Sequence, residues 1–130
     1  MSPLRSLDQR RAASAYAYAA AAADLDRAQK LPAMLQVNGL LATWAFLLAK
    51  EETPLLGALL GHLRTLPELA VPLGNPEAVF LHWVGGAAGA SSGVDGSLLR
   101  ALTAEALAWS VWLKRAAEAR GLTAGRESHG

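Results

Sequence analysis

Leu31-Pro32-Ala33-Met34-Leu35-Gln36-Val37-Asn38-Gly39-Leu40-Leu41-Ala42-Thr43-Trp44-Ala45-Phe46-Leu47-Leu48-Ala49-Lys50 carries no charged side chain before its last residue. The run is helical in composition, yet Asn38-Gly39 places a turn signal in its middle. A buried helix is expected to begin near Asn38 and to return to water at Lys50, where Glu51-Glu52 follows. Upstream, Pro32 suits the first turn of a short helix over 32–37. Asn38-Gly39 then breaks that helix and caps the next, over 39–49. The uncharged run approaches the ~20 residues that cross a bilayer. Pro32, Gln36, Asn38, Gly39 and Thr43 interrupt it, however, and its strongly apolar part is only half a span. A core helix with no membrane is the expectation.

Outward from this run the chain reads as helix. Alanine and leucine dominate, β-branched residues are scarce, and no segment alternates as a strand does, so the fold class is all-α. A first helix is expected over 6–30, with Asp8 in its first turn and Arg27 and Lys30 in its last, as the helix dipole favours. Its alanine-rich middle lets another helix approach closely. Leu7, Ser14, Tyr18, Ala22 and Leu25 share the face expected to pack, with Tyr18 supplying most of the area. Glu51-Glu52-Thr53-Pro54 is a stop and a restart, with Thr53 as N-cap and Pro54 at the first position. The helix that follows, over 54–66, puts Leu55, Leu59, Leu63 and Leu66 on one stripe.

After a loop over 68–76, Asn75 caps a short helix over 76–84. Residues 85–96, rich in glycine, read as a flexible loop. A last helix starts near Gly96 or Ser97, breaks briefly at Thr103 and is capped by Gly121. Leu102, Ala106, Trp109, Leu113 and Ala116 form its stripe. The expected architecture is a single domain over 1–122, a compact bundle of about six helices, with a frayed tail over 123–130.

A chain of 130 residues forms one domain and buries a core without metal or disulfide staples. It has no cysteine, which removes disulfides, thiolate nucleophiles and cysteine zinc sites, and fits a cytoplasmic setting. A net charge of +1 means that any polyanion site is a local patch. At the amino terminus charges recur through Arg11, and the alanine run after Tyr18 starts too late and is too weakly apolar for a secretory signal.

Nothing in the pattern points to catalysis, a cofactor, a metal or a small-molecule substrate. His62, His82 and His129 lack the i, i+4 partners of a metal site and read as structural or surface residues. Ser91 and Ser92 have no nucleophile elbow around them. Gly85-Gly86 and Gly89 lack the Lys-Ser/Thr ending of a phosphate loop. Asp24 with Asp26, and Glu51 with Glu52, read as solvated helix ends. Trp44, Trp83 and Trp109 lie on apolar faces and belong to the core, whereas Trp112 is displaced from the centre of its stripe. The basic residues are more suggestive. Arg10 and Arg11 sit near the start of the first helix, Lys50 and Arg100 at helix ends, and Lys114 and Arg115 off the last stripe. Gathered on one side they make a local cationic surface; otherwise they are a solvated rim paired with acids such as Glu105 and Glu118.

Leu7-Asp8-Gln9-Arg10-Arg11-Ala12, Leu31-Pro32-Ala33-Met34, Asn38-Gly39-Leu40 and Ala45-Phe46-Leu47-Leu48-Ala49-Lys50 recur in one order with Leu102-Thr103-Ala104-Glu105-Ala106-Leu107 and Trp112-Leu113-Lys114-Arg115. Together they resemble the small helical subunit of the Cmr, or type III-B, CRISPR effector complex, the fifth protein of its RAMP module. The resemblance spans most of residues 7–119 and leaves 68–96 unmatched. It implies a non-catalytic helical subunit of an antiviral ribonucleoprotein. Its partners would be other Cmr subunits, further copies of itself in a filament, CRISPR RNA and target RNA, with cleavage by another subunit. Carried over, Arg10, Arg11, Lys50, Arg100, Lys114 and Arg115 are the RNA-facing candidates. They would touch phosphates and position RNA without reading sequence. The alternative is a helical protein–protein adaptor that touches no nucleic acid.

Overall fold

A computed structural model describes residues 5–85 and 93–129, with 122–129 described by backbone alone. Five α-helices follow one another: α1 (Leu7–Ala21), α2 (Asp26–Ala49), α3 (Thr53–Arg64), α4 (Pro76–Val84) and α5 (Gly96–His129). A 3-10 turn, Pro67–Leu69, precedes α4. Among the described residues there is no strand. Most of the glycine-rich loop expected over 85–96 lies outside the described residues.

The uncharged run folds back on itself. Gly39 sits at φ 79°, ψ 176°, a conformation essentially reserved for glycine, in the middle of α2. A straight helix would separate residues 27 and 52 by roughly 37 Å. Instead Arg27 Nε lies 3.5 Å from Glu52 Oε1, and the Arg27 guanidinium lies 5.0 Å from the centroid of Phe46. Nearer the turn, the Thr43 hydroxyl donates to the Met34 carbonyl at 3.1 Å. So α2 is an antiparallel hairpin with arms 26–38 and 40–49, and counting the arms separately gives six helical rods. By length and composition α2 could cross a membrane, but each arm is shorter than the ~20 residues a straight span requires.

The first four rods alternate in direction. Along α5, Arg11 of α1 meets Glu105, Ser14 meets Trp109, and the Ala19 carbonyl accepts from Arg120. α1 and α5 therefore run side by side the same way. The first arm of α2 returns, from beside Ala117 and Arg120 to Gly39 beside Leu99 and Thr103. The second arm climbs again, and α3 descends until Thr65 reaches Arg10. Short connections between antiparallel neighbours are the economy of helical bundles.

Each rod turns its apolar stripe inward. Leu55, Leu59, Leu63 and Leu66 are buried as their spacing implies, and so are Leu102, Ala106, Trp109, Leu113 and Ala116. A fully buried leucine contributes about 1.5–3 kcal/mol, so these stripes outweigh any single cap or surface pair. Trp44 meets Trp83 edge to face, with centroids 4.9 Å apart, and donates its indole N–H to the Pro76 carbonyl at 3.0 Å. That contact ties α4 to the second arm of α2. Asn75 caps α4 as expected, its Oδ1 accepting from Ala78 N at 2.8 Å.

Several local expectations give way to tertiary demands. The first helix stops at Ala21 rather than Lys30. Ala22 turns extended, and Arg120 donates to the carbonyls of Ala19 and Ala22 that the stop leaves open. Alanine would continue a helix by propensity alone, but the chain must reverse here to pack α2 beside α1. Asp24 Oδ1 accepts from Asp26 N at 2.9 Å as α2 begins. Pro32 therefore lies inside a helix instead of opening one. The backbone bond it cannot donate is offset by the burial of Leu31 and Leu35 around it. On α1 the fully packed residues are Ala15 and Ala19, while Leu7, Tyr18 and Leu25 are only partly buried. Close approach through alanine, rather than area from Tyr18, defines that contact.

At α3, Glu52 takes the N-cap position expected of Thr53 and makes no side-chain capping bond. No break occurs at Thr103, whose hydroxyl bonds back to the Leu99 carbonyl at 2.8 Å. The cap expected at Gly121 is absent as well. α5 runs on to His129, because an interior glycine costs only about 1 kcal/mol.

Gly39→Ala should lose about 1–3 kcal/mol of unfolding free energy through backbone strain alone, since open space surrounds the missing Cβ. Gly57→Ala, helical and equally unobstructed, should be neutral or gain up to about 1 kcal/mol. Urea denaturation of the two variants beside the parent checks the contrast.

Candidate nucleic-acid interface

Ser6 opens α1 with a capping box: its hydroxyl accepts from Gln9 N at 3.1 Å, and Gln9 Oε1 accepts from Ser6 N at 2.7 Å. This fixes where the next residues point. Successive helical positions differ by about 100°, so Arg10 and Arg11 face different neighbours. Arg11 reaches α5 and grips Glu105 with both prongs of its fork, Nε to Oε2 and Nη2 to Oε1, each at 2.7 Å. Its Nη1 donates to Asp8 at 2.9 Å. Arg10 reaches α3 instead and donates to the Thr65 carbonyl at 2.7 Å, placing a cation on the negative end of that helix.

Glu105 is the centre of a buried polar network. Besides Arg11, it takes a hydrogen bond from His62 Nε2 at 2.8 Å. An ionised carboxylate only accepts, so the imidazole hydrogen lies on Nε2. The His62 ring lies nearly parallel to Trp109, centroids 6.4 Å apart, and Trp109 donates to the Ser14 hydroxyl at 3.1 Å. Three helices, α1, α3 and α5, are thereby joined through side chains alone. Burial pushes the Glu105 carboxyl up, but hydrogen bonds from Arg11 and His62 outweigh it and hold the group below the usual carboxylate range. The hydrogen bond to Glu105 in turn raises Arg11, against the opposing effect of burial.

The other candidates are exposed. Lys50 lies where α2 ends, its ammonium 5.8 Å from the Phe46 centroid. Arg100 stands on the first turns of α5 beside a groove that also contains Gly39 and Leu107. Lys114 approaches Glu118 at 4.0 Å. Arg115 covers the half-buried Trp112, 4.9 Å from its centroid.

The six residues are not one patch. Arg10, Arg11 and Arg100 lie toward the start of α5. Lys50 lies at the other end, with Arg27 and Glu52. That is roughly 20 Å away at ~1.5 Å per residue along α5. Lys114 and Arg115 fall between, about 100° apart around the helix. Arg11 does pair with Glu105, one of the acids expected as a partner, but against a buried carboxylate rather than on a solvated rim. The Lys114 contact with Glu118 is the other pair so anticipated.

Two functional features escaped the sequence reading. One is the depth of Glu105 and His62, both buried. The signal existed: Glu105 falls three residues after Leu102 and four before Trp109, and His62 three after Leu59, so both occupy stripe positions. The other is Arg5, which with Arg10 borders a groove of about 450 Å³ floored by Gly57 and Gly61. Trp44, Trp83 and Trp109 are core residues as expected. Among the described residues no three His, Asp or Glu side chains cluster as a metal site would require.

The described residues thus form an all-α bundle with a buried polar network around Glu105 and exposed cations along its length. Residues 7–120 match the family described as CRISPR-associated protein (Cas_Cmr5), and the chain belongs to that family. No curated protein and no solved structure matches the chain.

Glu105→Ala should cost on the order of 3 kcal/mol, because Arg11 and His62 lose the partner they share. The acid dependence follows from the lowered Glu105 pKa. The folded state binds fewer protons than the unfolded one, so this contribution is complete above the ordinary carboxyl pKa of about 4.3. It is lost as pH falls through the lower folded value. Melting curves from pH 7 down to pH 2.5 should show a shallower acid limb for Glu105→Gln than for the parent.

Proposed function

We propose that the chain is a non-catalytic structural subunit of the Cmr, type III-B, CRISPR ribonucleoprotein. It would adjoin further copies of itself and other Cmr subunits in the cytoplasm and help hold target RNA against the CRISPR RNA for cleavage elsewhere. The family match over residues 7–120 carries this reading, since it spans α1 to α4 and most of α5. Lys50, Arg100, Lys114 and Arg115 are the cations proposed to meet RNA phosphates, because their side chains stand exposed. Arg10 and Arg11 are proposed to act on RNA only indirectly, by holding α1 against α3 and α5. Cations strung along a rod suit an elongated phosphate backbone better than a compact ligand. With a net charge of +1, the isolated chain should bind RNA weakly and depend on assembly.

A tagged chain recovered from its native cell should bring down CRISPR RNA together with large backbone proteins. Protein partners without RNA would favour the adaptor reading. Within the assembled complex, Lys114→Ala and Arg115→Ala should each flatten the salt dependence of target-RNA binding by about one unit of slope. Arg11→Ala should instead lower the melting temperature.

A further inference from the structure

We propose that the groove between α1 and α3 is a binding site for a small phosphate monoester of nucleotide size. It is separate from the exposed cations assigned to RNA above, and the proposal goes beyond that function.

α3 gives up helix stability to keep the groove open. Gly57 and Gly61 stand one turn apart inside the helix, where each costs about 1 kcal/mol relative to alanine. No described atom needs the space, since a Cβ added at either would meet nothing within 4 Å. The trough they leave runs from Gly57 to Thr65, roughly 12 Å along α3. It amounts to about 450 Å³, within the ~300–1,000 Å³ of small-molecule sites. A docked helix of several turns would overrun it.

The polar groups around the trough have capacity unspent. Arg5 is exposed and makes no hydrogen bond or ion pair among the described residues. Arg10 spends Nη2 on the Thr65 carbonyl and keeps the rest of its fork of N–H donors. The Ser14 hydroxyl accepts from Trp109, which leaves its own hydrogen to donate. His62 is the innermost member of the lining, its side chain 1% exposed. Its Nε2 is spent on Glu105, and Nδ1 has no partner among the described residues. With the hydrogen on Nε2, Nδ1 of the neutral ring is an acceptor. No carboxylate lines the groove. Glu105, behind His62, is already gripped by Arg11, so its charge is offset.

This set is complementary to a ligand with an anionic head and a hydroxyl or amine farther along. The arginine forks and the Ser14 hydroxyl suit the phosphate. The glycine floor admits a flat ring, and the His62 acceptor meets a donor on the sugar or base.

Calorimetric titration of the full chain with adenosine 5′-monophosphate, inorganic phosphate and adenosine tests the site. The nucleotide should bind, and phosphate and adenosine should each bind at least about tenfold more weakly, because each engages one end alone. Arg5→Ala should weaken nucleotide binding about tenfold, the loss of one charge-assisted hydrogen bond. Gly61→Leu should abolish it by filling the trough. The melting temperature of that variant should hold or rise, since a helical glycine is replaced in open space. With ¹⁵N-labelled histidine, the nucleotide should shift His62 Nδ1 and leave His82 unmoved. No nucleotide binding up to about 10 mM, phosphate or adenosine as tight as the nucleotide, an unmoved His62, or unchanged binding in either variant overturns the proposal.

Discussion

The reversal at Gly39 is the constraint on which the rest of the bundle depends. A 24-residue apolar helix has more inward-facing surface than one small domain can cover along a single line. Folding it at a glycine conformation lets Leu31 and Leu35 pack from one arm and Leu40, Trp44 and Leu47 from the other. The same reversal brings Arg27 to Phe46 and Glu52, so both ends of the hairpin close over one side. It also opens the depression between α2 and α5, because a turn of this kind cannot pack flush against a straight neighbour.

With the hairpin in place, register among the other helices becomes a polar problem. Apolar stripes tolerate sliding, since one leucine replaces another with modest loss. Arg11, Glu105 and His62 do not, because a shift of one turn would strand a buried carboxylate. Their network sets how far α1 and α3 advance along α5. It accounts as well for why a chain with ordinary charge content keeps one of its carboxylates away from solvent. Buried ion pairs are weak evidence for stability but serve well to specify arrangement, and here three helices from distant parts of the sequence share one carboxylate.

The surface that remains divides its tasks. Exposed cations run along the rod, where they suit an extended polyanion at modest affinity. Large apolar side chains are exposed at several places, Tyr16 on α1, Val37 and Phe46 on α2, and Leu73, Leu81 and Val84 in and before α4. Under the function proposed above, such a subunit would hold RNA by being repeated rather than by gripping it alone. The family match over residues 7–120 includes the stretch 68–96 that the sequence resemblance left out.

Sequence by itself determined the helical class, the leucine and tryptophan stripes, the cap at Asn75 and the break at Gly39. Each of these is local: periodicity of 3.6, a side chain within three residues, or a backbone angle only glycine tolerates. The match to the family was legible for the same reason, as an ordered set of short segments. Only the tertiary structure decided that the break is a reversal, that the alanine helix ends at Ala21, and that Pro32 lies within a helix. Those outcomes depend on what packs against a segment, and alanine or proline preferences of about 1–3 kcal/mol yield to the burial of several leucines. Charge followed the same logic. Arg10 and Arg11 are adjacent in sequence, yet one caps a neighbouring helix and the other is sealed against Glu105, because a 100° step around α1 aims them at different partners that no local pattern names.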